Sequence, residues 1–81
     1  MMYIDGILVA RELKALRERK DKSIIEACNE LGIHTNTLYK YERDANDMNL
    51  GLLEKLLKYY SVDELIFFKT IREYNHSQSE V

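Results

Sequence analysis

Asn36, Lys40 and Arg43 recur at intervals of four and three residues, with Thr37 and Tyr39 beside them. On a helix turning about 100° per residue the first three share one face. Their side chains are an amide, an ammonium and a guanidinium, flanked by two hydroxyls, all of them able to donate hydrogen bonds. Asn can pair bidentately with adenine, Lys can donate to guanine, and hydroxyls suit either bases or phosphates, so the chemistry on offer is contact with a nucleic acid. Catalysis has no comparable support. No paired carboxylates form a recognisable constellation, no nucleophile has a nearby base, and no glycine loop can hold a nucleotide phosphate, so a non-enzyme is expected. His34 and His76 have no partner at metal-ligand spacing, and neither a metal nor a cofactor is expected.

Helices must position that face, and the chain reads as five of them with short connections. The first runs from about Val9 to Lys20, with Val9, Leu13 and Leu16 on its apolar side and Arg11, Lys14, Arg17 and Arg19 on the other. Ser23 with Glu26 three residues on forms a capping box at the start of the second. There Ile24, Ala27, Cys28 and Leu31 make the inward stripe, and Gly32 ends it in a left-handed turn. The third helix, about Thr35 to Arg43, has Leu38 as its inward anchor and the polar stripe outside. "DANDMN" is a loop by composition, and Asn49 can cap a fourth helix in which Leu53, Leu56, Leu57 and Tyr60 repeat at core spacing. Asp63 can cap a fifth, whose Leu65, Phe68 and Ile71 are expected inward while Ile66, Phe67 and Tyr74 point further round. Cys28 is expected as a small core residue where helices cross.

The chain has 81 residues, room for one domain with one small core. Hydrophobic residues make up 46%, with three Gly and no Pro, which points to an all-α class. A single cysteine excludes an intrachain disulfide framework; with no signal peptide and no apolar run of spanning length, the expectation is a cytoplasmic protein without a membrane partner. The formal charge of -2 argues against a nucleic-acid partner until it is resolved by position. From Val9 to Arg43 eight Lys or Arg face six Asp or Glu; from Asp44 onward four face seven. The basic half holds the polar stripe.

The segments "LKALRERK", "ELGIHTNTLYKYER" and the leucine-rich helix followed by "VDEL" together resemble the helix-turn-helix domains of the phage-repressor-like (XRE) family of transcriptional regulators. Ile24, Cys28, Gly32, Leu38 and Tyr41 stand at the family's helix start, helix crossing, turn, buried aliphatic and late packing aromatic, and "YER" is the most family-specific fragment. The resemblance implies a compact five-helix, lambda-repressor-like DNA-binding domain over residues 9–74, with its helix-turn-helix at about 23–43, an N-terminal leader at 1–8 and a polar tail at 75–81. It implies base reading by Thr35, Asn36, Tyr39 and Lys40, and backbone contact by Ser23, Thr37 and Arg43. It also implies a bacterial or phage-encoded regulator that binds double-stranded DNA as a homodimer. The dimer surface is expected in the aromatic excess of the fifth helix, at Ile66, Phe67, Ile71 and Tyr74.

The sequence departs from the family where Ile24 replaces a Gln that donates to phosphate, Lys22 a leucine and Asp44 a glycine. His34 replaces a capping serine, which leaves Thr35 as the expected cap. With the net acidity and an outward Ile25, these departures support an alternative: a helix-turn-helix adapted to bind a protein partner, such as a toxin, a polymerase subunit or another regulator.

Overall fold

Asp5 opens the regular structure. The computed structural model describes residues 5–79, and in it the Asp5 carboxylate accepts from the Ile7 amide at 2.8 Å, capping α1 (Gly6–Arg19). The helix therefore starts ahead of the expected Val9, and Asp5 to Leu8 belong to the folded domain rather than to a leader. The other leader residues, 1–4, lie outside the described residues. Ser23 and Glu26 form the expected capping box at the start of α2 (Ile24–Leu31). Gly32 closes that helix at φ +73°, where a Cβ would be strained, and its amide donates to the Cys28 carbonyl at 2.8 Å. After α3 (Thr35–Tyr41), the Asn49 side chain caps α4 (Leu50–Tyr59) by accepting from Leu52. Asp63 caps α5 (Glu64–Ser79), accepting from Leu65 at 2.8 Å and Ile66 at 3.3 Å. The backbone of α5 continues past Tyr74 into the segment expected as a tail.

No strand is present among the described residues; the fold is a compact all-α bundle of five helices. α2 packs on α3 and α4, and α1 packs on α5. Its core is drawn from every helix: Leu13 and Leu16, Ala27 and Leu31, Leu38, Leu56, Leu57 and Tyr60, then Phe67 and Ile71. Burial of each large aliphatic contributes about 1.5 to 3 kcal/mol. Among the described residues no helix is long and apolar enough to cross a membrane.

α5 corrects the expected facing. Phe67 and Ile71, assigned to a dimer surface, are buried in the monomer's own core; for Ile71 this agrees with its inward expectation, whereas Leu65, also expected inward, is 81% exposed. The helix is apolar on several sides, so two overlapping stripes fit its periodicity, and Phe67 with Ile71 at i,i+4 is the one buried in the core. Phe68 is half-buried, its ring edge-on to Phe67. Ile66 and Tyr74 remain exposed as expected.

One contact joins the start of the bundle to its middle. The Gly6 amide donates to Asn46 Oδ1 at 3.2 Å, and the Gly6 carbonyl accepts from the Ala45 amide at 3.1 Å. A Cβ at position 6 would collide with both the side chain and the backbone of Asn46. The loop after α3 is thereby held against the first turn of α1.

Candidate nucleic-acid interface

Leu38 is buried, and it fixes the rotation of α3. The neighbours that face away from it are the ones the sequence singled out: Thr35, Asn36, Tyr39 and Lys40 are exposed, Tyr39 at 55%, and Thr37 is half-buried at the edge. Arg43 is exposed as well, but α3 ends at Tyr41, so Arg43 lies beyond the helix, its amide donating to the Lys40 carbonyl at 3.1 Å. Thr35 does not cap. His34 is the N-cap, with no side-chain bond to the helix, and Thr35 is the first helical residue, so the Thr35 hydroxyl is not used as the cap. Ser23 is engaged in the capping box, its Oγ accepting the Glu26 amide and its own amide donating to Glu26 Oε1.

α3 is also held by an ion pair that the helical reading did not anticipate. Arg17 donates from Nε to Glu42 Oε2 at 2.8 Å and from Nη2 to Glu42 Oε1 at 3.0 Å, while Nη1 donates to the Lys22 carbonyl at 2.8 Å. Only 11% of the Arg17 side chain and 6% of the Glu42 side chain are exposed. A bidentate guanidinium–carboxylate pair is rigid, so α1, the turn before α2 and the end of α3 share one geometry. The hydrogen bond to Glu42 raises the Arg17 pKa further above its already high ordinary value. Arg17, expected on the solvent side of α1, sits one turn after Leu13 on the same stripe; that spacing is the signal that places it inward. Its partner, twenty-five positions away, has no signal in periodicity.

A second cluster braces α2. Glu30 accepts from Lys22 Nζ at 2.9 Å and from the Tyr59 hydroxyl at 2.6 Å. These bonds, Lys22 first, hold the Glu30 carboxyl below its ordinary range, while burial and Glu30 push the Tyr59 phenol up to about 12. Lys22, a departure from the family pattern, thus ties the turn before α2 to α4. Cys28 is in the core as expected, its thiol pushed up by burial and its Sγ 3.6 Å from the His34 carbonyl. Ile24 is buried, and Ile25 is 64% exposed on the outer side of α2.

These pairings decide which cations are available. Arg17, Arg19 and Lys22 are engaged by Glu42, Glu12 and Glu30. Lys40 and Arg43 enter no ion pair among the described residues; Lys40 Nζ instead lies 5.2 Å from the centroid of the Tyr41 ring. The exposed face of α3 is therefore cationic and rich in donors, although the whole chain is acidic. Field at such a surface is set locally, because ordinary salt screens beyond about 8 to 10 Å. No group of three or more His, Cys, Asp or Glu able to hold a metal occurs among the described residues; the side chain of His76 lies outside them.

The family model described as a helix-turn-helix domain matches residues 8–65. No curated protein and no solved structure matches the chain.

Proposed function

The chain belongs to the helix-turn-helix domain family, in its phage-repressor-like (XRE) form, and from that premise we propose that it is a sequence-specific regulator reading an inverted-repeat operator as a homodimer. DNA binding in the control of transcription is the family's role, and the family is not a catalytic one. The observation that supports the finer reading is the outward face of α3. Leu38 is buried beneath it while Thr35, Asn36, Tyr39 and Lys40 are exposed together. A helix so mounted suits the major groove, with its early residues at base edges and Ser23, Thr37 and Arg43 toward the phosphates. Two copies would place their α3 helices in half-sites roughly 34 Å apart.

Selection of bound duplexes from a random pool tests this directly: an enriched palindrome is expected, and its absence would overturn the operator model. On the enriched site, Asn36→Ala should relax preference at a single base pair, costing about 1 to 3 kcal/mol there. Unchanged discrimination would remove Asn36 from the reading set.

The exposed Ile25 on α2 supports a second reading, in which the outer side of α2 binds a protein partner. Under that reading no duplex is enriched, and Ile25→Asp abolishes partner binding while leaving the fold intact.

A further inference from the structure

We propose that Tyr41 positions Lys40 for the phosphate backbone, so that Lys40 is a backbone contact rather than a reader of bases. This inference rests on the DNA-reading role of α3 argued above.

The direction of the Lys40 side chain carries it. With Leu38 pointing inward, a turn of about 100° per residue sets Asn36 and Lys40 about 40° apart on the outer side of α3. Arg43 and Tyr39 follow beyond Asn36 in one sense, and Thr37 and then Tyr41 beyond Lys40 in the other. From that starting direction the ammonium could lean either way. It leans toward Tyr41, 5.2 Å from the ring centroid, a distance at which the negative face of the ring attracts a cation. Tyr41 is half-buried, so its ring is a fixed mount rather than a second mobile side chain. Adjacent residues on a helix do not ordinarily face each other, so the lysine stem must bend around the cylinder to make the contact. The bend carries the charge away from Asn36 and over the edge occupied by Thr37. In a groove-bound helix that edge is closer to the sugar–phosphate strand than the crest carrying Asn36. A compact ammonium attracts phosphate from any direction, whereas guanine recognition needs it in the plane of the base.

The test uses the full chain on its enriched site and on duplexes carrying single base-pair changes. Lys40→Ala should weaken binding to all of them by the same factor and reduce the log–log salt slope by about 0.9, as loss of one phosphate contact does. Tyr41→Phe keeps a ring and should bind like the unmodified protein; Tyr41→Leu should lose two- to fivefold, evenly across sequences. In the free protein, NMR should find the Lys40 ε-methylene protons shifted upfield by the ring, a shift kept in Tyr41→Phe and lost in Tyr41→Leu. Absence of that shift in the unmodified protein overturns the proposal without any reference to DNA. So does a Lys40→Ala variant that loses discrimination at one base pair with its salt slope unchanged, provided Asn36→Ala still relaxes its own position. If Asn36→Ala and Lys40→Ala both leave binding unaltered, the reading of α3 itself falls, and this inference with it.

Discussion

Tyr60 is fully buried, and its hydroxyl makes no hydrogen bond among the described residues. Burial, with Glu42 nearby, raises its pKa above the ordinary phenol value. A buried hydroxyl without a partner costs stability, while the ring that carries it contributes a large apolar area. Tyr60→Phe should therefore raise unfolding stability by about 1 kcal/mol in urea titrations, and a loss would mean that the hydroxyl is satisfied in solution. Tyr59, its neighbour, titrates in a sense that can be stated. Its phenol is pushed up to about 12 from an ordinary 10, so the unfolded chain releases that proton first. The stabilisation linked to it is complete below pH 10 and declines as pH rises toward 12. Thermal melts across that window should fall more gently for Tyr59→Phe than for the unmodified chain.

At the scale of helices, the caps of α2, α4 and α5 and the inward anchor of α3 were readable because each is a local rule. Asp5 was not read as a cap, and His34 stands where Thr35 was expected to cap. Ser23 with Glu26, Asn49 and Asp63 stand at helix starts where the spacing put them, and Leu38 is the inward anchor of α3. Reading was weaker where two local rules agreed equally well. In α5 both Leu65–Phe68–Ile71 and Phe67–Ile71 satisfy helical spacing, and only burial in the assembled core selects the second. It was blind where the determinant is nonlocal: nothing near Arg17 announces Glu42. Breaking that nearly buried pair exposes its cost. Glu42→Ala leaves an uncompensated guanidinium and should destabilise the fold by about 3 to 5 kcal/mol, measured by denaturant midpoint. The polar face of α3 was legible residue by residue, but the direction of Lys40 was not, since it depends on a side-chain torsion. Gly32 offers a cleaner check on the turn. No atom lies within 4 Å of a Cβ placed there, so Gly32→Ala tests only the left-handed backbone and should cost about 1 to 2 kcal/mol.

For the molecule as a whole, the apolar residues left uncovered are informative once α5 is correctly oriented. Substituting Phe67 would damage the core rather than an interface. The dimer proposal is instead tested at Ile66 and Tyr74, which are exposed on the same helix. Ile66→Asp or Tyr74→Asp should yield monomer in sedimentation with an unchanged melt and weaker operator binding; unchanged mass would remove α5 from the interface. The bundle also has a mechanical property that follows from Gly6. Because its amide and carbonyl are both bonded to the segment at Ala45 and Asn46, tension on the chain ahead of Asp5 does not stop at the first turn of α1. It is delivered some forty residues downstream, to the segment that follows Arg43, so a weight hung on the front of the protein would tug at the loop behind α3.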